Sequence, residues 1–381
     1  MTKKKRVCTR CIMDNSSDDS IVFDSLGRCN YCRDALRIMP TVYFPNDKGQ
    51  QMLEDMLSTI KKESADKPFD CLMGISGGLD SSYLAYLGAV KWGLRILAVH
   101  IDDGFDEGVA IKNITGLCER ARIQLVTESL DTRQFNDLTR SFLYSGVPNL
   151  AIPQDNILFA SLYKYAKDKR IRHFLSGGNF SLECILQKGN TYDSLDKKHI
   201  KDIHRRYGKG KINNLPLFSY EKHLYYKALL RIMTWKPLNY IDYNKSKAIS
   251  ELGQYCGFEY YGSKHLENKL TKFTQLYWLP KKFKVDKRTS HLSSMIISGQ
   301  ISRDNALKEL GKPLYDAIAM SKDVKAVLER LQVSDEEFQV IMNEEPIPHS
   351  KYKKSLFGSL CHWTLRTIKR LNTRENDKAN K

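Results

Sequence analysis

The clearest pattern of apolar and polar positions lies between residues 69 and 102. Phe69-Asp-Cys-Leu-Met-Gly-Ile75 is a short, mostly apolar run, which predicts a buried strand. Small and polar residues break it over Ser76-Gly-Gly-Leu-Asp-Ser-Ser82. Tyr83, Leu87 and Val90 then recur at helical spacing, and Gly93 supplies the stop. Leu94-Arg-Ile-Leu-Ala-Val-His-Ile-Asp102 predicts a second strand. His173-Phe-Leu-Ser-Gly-Gly-Asn-Phe-Ser-Leu-Glu183 reads as another short strand that ends in a glycine-rich turn. Strands joined by helices predict an α/β fold with a parallel sheet, whose ligands gather at the carboxyl ends of the strands.

A strand, a glycine-rich turn and a helix together form a phosphate cradle. Gly77 and Gly78 let the backbone turn sharply and bring its N–H groups close to an anion, and the helix amino terminus adds partial positive charge. Ser76, Ser81 and Ser82 offer hydroxyls. Asp80 belongs in an anion site when a divalent cation stands between it and the phosphates, so Mg2+ is implied. His100 and Asp102 end the second strand beside this loop. Ser176, Gly177, Gly178 and Asn179 are candidates for a second ligand loop, against the alternative of an ordinary strand-to-helix turn. The loop is not a Walker A motif, because no Lys occurs between Pro68 and Lys91. Ser-Gly-Gly-x-Asp-Ser resembles instead the PP-loop of the ATP pyrophosphatase superfamily, whose members grip the pyrophosphate of ATP and transfer AMP to a substrate oxygen.

Cysteine usage adds a second chemistry. The chain has nine Cys, an odd number, which argues against a disulfide framework. Cys8-x2-Cys11 and Cys29-x2-Cys32 sit in turn-rich contexts, and two such turns close a tetrahedral site: a structural Zn2+ ribbon without an open coordination position. Four thiolates also accept an iron–sulfur cluster, and the spacing leaves both open. The other cysteines are scattered singly.

The 381 residues are 41% hydrophobic and 28% charged, enough apolar material for a sizeable core. No stretch approaches the roughly 18 apolar residues of a membrane span, and the basic start lacks the apolar core of a signal peptide, so the expectation is a cytoplasmic protein. The net charge of +17 suggests nucleic acid as the default partner. Its distribution changes that. Residues 196–236 hold eleven Lys/Arg against three acids, and residues 351–381 hold nine against two, leaving the other parts of the chain near neutral. The first segment interleaves its charge with Tyr207, Phe218, Tyr220, Tyr225, Tyr226 and Trp235, which suits RNA, a nucleotide sugar or an acidic partner equally. The second contains Leu356 to Leu371, apolar and basic at helical spacing, which permits peripheral docking on an anionic membrane.

The order of these features resembles one family, the N-acetyl sugar amidotransferases of O-antigen and related surface-sugar biosynthesis. The resembling segments are Cys8-Thr-Arg-Cys-Ile-Met-Asp14 with Cys29-Asn-Tyr-Cys32, Gly74-Ile-Ser-Gly-Gly-Leu-Asp-Ser81, Lys264-His-Leu-Glu-Asn-Lys-Leu-Thr271, and Asp286-Lys-Arg288 leading into His291-Leu-Ser-Ser294 and Ser298-Gly-Gln-Ile-Ser-Arg-Asp304. The resemblance implies a four-cysteine zinc ribbon (1–45) and a PP-loop domain of adenine nucleotide alpha hydrolase type (46–262) with a basic insertion (186–236). A helical carboxyl-terminal region (263–345) and a basic amphipathic tail (346–381) follow. It implies ATP-dependent conversion of an acetamido group on a nucleotide-linked sugar into an acetamidino group. Asp80, Lys264, Glu267, Lys287 and Arg288 are the implied catalytic residues, against the alternative that the charged ones pair on a solvated helix face.

Glutamine-dependent enzymes need a nucleophilic Cys. Position 2 is Thr, and no single Cys sits in a recognisable nucleophile turn. Ammonia is therefore expected from outside the chain, in the family from a separate glutaminase acting with a cyclase-like barrel protein. A tRNA-thiolating PP-loop enzyme is the main alternative, opposed by the lack of any Cys-x-x-Cys beyond residue 32. A zinc-ribbon adaptor with a vestigial ATP fold is opposed by the complete loop.

Overall fold

The computed structural model of the chain describes residues 5–16, 18, 20–262, 266–358 and 360. Among these, five strands form one all-parallel sheet: β1 (Cys71–Gly74), β2 (Ile96–Asp102), β3 (Gln124–Ser129), β4 (His173–Leu175) and β5 (Met233–Trp235), in the order β3-β2-β1-β4-β5. The chain steps outward from β1 to β3 and returns to the other side of β1 for β4. The order reverses beside β1, and such a reversal leaves a crevice at the carboxyl ends of the strands.

Helices cover both faces. The amino-terminal ones are α1 (Asn30–Val42), α2 (Asp47–Glu63), α3 (Leu79–Tyr86), α4 (Gly108–Arg120), α5 (Thr132–Tyr144) and α6 (Ile152–Asp168). Side chains alternate along each strand. Cys71, Met73, Ile96 and Ala98 join Met56, Ile60 and Leu84 on one face, while Leu72, Leu97 and Val99 join Leu162 and Ile171 on the other. With both faces buried, the strands read as continuous apolar runs. α3 widens into a π turn (Leu87–Lys91), and Gly93 ends it at φ +63°.

The middle of the chain contributes α7 (Phe180–Glu183), α8 (Lys197–Tyr207), α9 (Tyr220–Ala228) and α10 (Lys245–Cys256). Within the basic segment, Phe218 and Tyr220 are buried; Phe218 stacks on Tyr163 at 5.0 Å. Arg205 and Arg206 both pair with Asp202, at 2.7 and 2.9 Å. Several of its rings and charges are therefore spent on its own packing, though Tyr225 is exposed.

A helical region follows: α11 (Lys269–Phe273), a π turn (Thr274–Trp278), α12 (Leu279–Phe283), α13 (Arg288–Ile297), α14 (Arg303–Gly311), α15 (Ala317–Leu331) and α16 (Asp335–Asn343). Trp278, Phe273, Phe338, Phe105 and Phe135 fill its core. The amino-terminal cysteine turns dock on α13 and α14. Ile12 packs on Leu292 and Ala306, its N–H donates to Ser293 Oγ at 3.2 Å, and Arg303 donates to the carbonyls of Cys8 and Cys11. No helix among the described residues is long and apolar enough to cross a membrane. Most of the amphipathic tail, 359 and 361–381, lies outside the described residues.

Candidate active site

The turn after β1 has the geometry that its glycines predict. Gly77 adopts φ +74°, and a Cβ there would lie 2.5 Å from the Ala110 carbonyl oxygen, so glycine is required both by conformation and by space. Gly78 precedes α3 without a side-chain cap, and its N–H donates to Ser76 Oγ at 3.2 Å. Ser76 N–H donates to Ser81 Oγ at 3.4 Å. Ser82 differs from the other two hydroxyls: it is fully buried beneath the turn, and its Oγ has no hydrogen-bond partner among the described residues.

Glu267 reaches this turn from a distant part of the chain. Its Oε1 accepts from Ser76 Oγ at 3.1 Å and stands 2.5 Å from where a Gly78 Cβ would be, so a carboxylate rests against the cradle itself. Asp80 accepts a hydrogen bond from Tyr243 OH, whose ring stacks on Tyr83 at 5.7 Å. Leu79 N–H donates to Tyr261 OH at 2.9 Å. Burial and the nearby carboxylates push both phenols, Tyr243 and Tyr261, well above their ordinary pKa, which keeps them as donors. Ser76, Gly78, Asp80, Glu267, Tyr261 and Lys245 border a cavity of about 50 Å³. Nothing in the sequence pattern singled out Tyr243, Tyr261 or Lys245.

The second glycine-rich turn adjoins the first. A Cβ on Gly177 would lie 3.2 Å from Asp80 C and Ser81 N, a close backbone approach that a larger residue would crowd. Asn179 caps α7 by accepting from Leu182 N–H at 2.9 Å and donates to the Gly177 carbonyl at 3.1 Å, fixing the turn's shape. His100 stands behind the loop. Its Nδ1 is 3.1 Å from the Ile75 carbonyl and its Nε2 3.2 Å from Asp106. Burial opposes its protonation, but Asp106, the Ile75 carbonyl and Asp102 together outweigh burial and raise its pKa. Asp102 accepts from Gly104 N–H at 2.9 Å and shapes the turn after β2. Asp103, next in the chain, is pushed up to about 6 by burial and by Asp106, and Asn268 donates to both carboxylates.

A larger cavity, about 310 Å³, opens beside the first and shares Leu182 and His291 with it. The start of α6, α7, the π turn and the start of α13 enclose it. Lys287 lines it with no ion pair among the described residues, and burial pulls the pKa of its ammonium down. Arg288, adjacent in sequence, is engaged differently. It makes a two-pronged bridge to Asp286, 2.7 Å at its shortest, and donates to the carbonyls of Glu309, Leu310 and Lys312. That guanidinium staples α13 to the end of α14. Lys264 lies outside the described residues.

At the far side of α13, Cys8, Cys11, Cys29 and Cys32 are all fully buried, with sulfurs within 4.8 Å of one another. Cys8 and Cys32 Sγ are 3.7 Å apart, and Cys11 and Cys29 Sγ 3.6 Å. Thiolates bound tetrahedrally at about 2.3 Å stand roughly 3.8 Å apart, so this set is shaped to hold one metal ion. Backbone N–H groups of Arg10, Cys11 and Cys29 point at Cys8 Sγ, as they would at a thiolate.

Residues 267–369 match the family described as LPS biosynthesis protein WbpG-like, C-terminal domain. No curated protein matches the chain. Among solved structures, the NH3-dependent NAD synthetase of Campylobacter jejuni is similar at 17% identity over 55% of this chain and 93% of its own, with a TM-score of 0.29. NMN synthetase from Francisella tularensis is similar at 17% identity over 72% and 99%, TM-score 0.30. The U34-tRNA thiolase NcsA of Methanococcus maripaludis with its [4Fe-4S] cluster is similar at 13% identity over 75% and 81%, TM-score 0.32. With TM-scores this low, what those proteins bind or make says nothing about this chain.

Proposed function

We propose, for a chain that carries a WbpG-like C-terminal domain of the LPS biosynthesis type beside a PP-loop sheet, an ATP-dependent amidotransferase activity on a nucleotide-linked N-acetyl sugar. The supporting observation is the adjacency of two cavities: a small glycine-walled cradle at the switch point of the sheet shares Leu182 and His291 with a larger one of mixed polar and apolar lining. The phosphate end of a nucleoside triphosphate at the first and an amide in the second would meet at their boundary.

An amide is a poor electrophile, and its oxygen is a poor leaving group. In the proposed reaction the acetamido oxygen attacks the α-phosphorus of ATP and pyrophosphate departs, leaving an O-adenylated imidate. Ammonia then adds to the carbon, and the C–O bond breaks with AMP taking the electron pair, which leaves an acetamidino group. Ser76, Gly77, Gly78 and Ser81 hold the departing pyrophosphate through N–H and O–H donors that exchange their contacts within the turn and to Glu267 for its oxygens. Asp80 and Glu267, two carboxylates on one cradle, are the hard oxygen donors that would hold Mg2+, which neutralises phosphate charge when bound. Lys287 supplies positive charge to the acceptor side. Arg288 acts through its bridge to Asp286, keeping Lys287 and His291 on a fixed helix. The four cysteines would hold structural Zn2+.

The sugar is bound as its nucleotide diphosphate, ammonia comes from a separate glutaminase with its barrel partner, and the protein works in the cytoplasm at the inner face of the membrane. The test is incubation with ATP, ammonium and UDP-acetamido sugars, with bulk tRNA as a separate arm. AMP, pyrophosphate and a sugar lighter by the difference between O and NH are expected, and Asp80→Ala abolishes all three. Turnover on tRNA alone, or glutaminase activity from this chain by itself, would refute the reading.

A further inference from the structure

Asp155 stands in the first turn of α6 and lines the larger cavity. Its carboxylate has no hydrogen bond and no ion pair among the described residues. The other titratable groups around that cavity are Glu183, Asp286, Lys287, Arg288 and His291. Asp286 and Arg288 satisfy each other, and Glu183 accepts from Asn179 N–H at 3.3 Å. Asp155 is therefore a carboxylate facing a cavity of mixed polar and apolar lining with its acceptor lone pairs unused by protein. An acid in a first helical turn favours the helix dipole, but that role needs no cavity and is served best in water. Burial alone pushes this carboxyl up to about 6, a value suited to exchanging protons near neutral pH.

We propose that Asp155 receives the nitrogen nucleophile of the amidation step and takes a proton from it. This role rests on the amidotransferase reading. Ammonium reaches the cavity as a cation with four donors, and its nitrogen has no lone pair to give. A carboxylate with free acceptor sites holds it, takes one proton to become the carboxylic acid, and frees ammonia. Ammonia's lone pair forms the C–N bond, the C–O bond breaks toward AMP, and the second proton lost by the nitrogen leaves to solvent. The cavity adjoins the pyrophosphate cradle across Leu182 and His291, so the freed ammonia lies next to the place where the imidate would form.

Asp155→Asn, which preserves shape, tests this with two nucleophiles. Ammonium-dependent turnover is expected to fall by about 100-fold or more. Acceptor-dependent exchange of pyrophosphate into ATP, which reports adenylation, should change little. Hydroxylamine, largely unprotonated at neutral pH, should be used nearly as well by the variant as by the parent. Retained ammonium turnover, or equal loss with both nucleophiles, would overturn the role, because a purely structural Asp155 cannot distinguish them. If the variant does not fold, the unmodified protein still decides. Its kcat with saturating ammonium should fall as pH drops through about 6 while acceptor-dependent pyrophosphate exchange, which needs no proton from the nitrogen, falls less, and a parallel fall of the two refutes the proposal. Absence of AMP formation with every acetamido sugar would sink the amidotransferase reading and this role with it, whereas normal turnover by Asp155→Asn sinks only the role.

Discussion

Gly77 and Gly78 are neighbours in sequence with opposite tolerances. A methyl on Gly77 meets the Ala110 backbone at 2.5 Å and demands a positive φ, whereas one on Gly78 meets the movable carboxylate of Glu267. Gly77→Ala should therefore cost more than about 1 kcal/mol of stability by denaturant titration. Gly78→Ala should melt near the parent temperature but lose about 100-fold in adenylation rate, because its methyl displaces what the cradle must seat. Equal stability losses would contradict this split. The two positions look alike in Ser76-Gly-Gly-Leu-Asp80, and so do Lys287 and Arg288 as adjacent cations. Only the partners separate them: Asp286 and three carbonyls near the end of α14 occupy Arg288, while Lys287 faces a cavity.

At the scale of elements, β1 and β2 were legible as apolar runs because both of their faces are buried. β3 and β5 carry no such run. They are the edge strands, partly solvated, and three-residue β5 exposes Met233 and Thr234. The π turn that walls the larger cavity was equally invisible, since periodicity registers a helix and not its widening. α8 also holds a contact that sequence reading passed over. His199 Nε2 lies 3.1 Å from His349 Nδ1, with Tyr192 against both rings. Burial lowers the pKa of His199, and burial with the His199 charge lowers that of His349. Below 6.5 the unfolded chain binds protons that the folded one refuses, so stability should fall as pH drops below that value. A His199→Gln/His349→Gln double variant should show a flatter acid limb in thermal melts, and an unchanged slope would remove this account.

Over the whole molecule, the cysteine turns and the cavity wall are mechanically joined. Ile12 and the carbonyls of Cys8 and Cys11 are tied to Ser293 and Arg303, and α13 begins beside Lys287 and carries His291. Stripping the metal with a chelator, or Cys29→Ser, should lower the melting temperature and also weaken acceptor binding, although no sulfur borders the cavity. Elemental analysis should find about one zinc per chain, in line with a closed four-thiolate site. A metal-free protein with unaltered melting and acceptor affinity would show the two regions to be independent.

What the sequence alone determined is local chemistry: the paired cysteines, the glycine turn between strand and helix, and the parallel sheet implied by its apolar runs. These are legible because each depends on residues a few positions apart. The tertiary structure alone decided which distant groups meet them. Glu267 on Ser76, Tyr243 on Asp80, Tyr261 on Leu79 and Gly177 against Ser81 join segments far apart in the chain. The basic segment followed the same rule, since two of its cations, Arg205 and Arg206, are held by the single carboxylate of Asp202. Spacing in sequence reports the short-range constraints of the backbone, whereas burial and pairing are set by the packing of the whole chain.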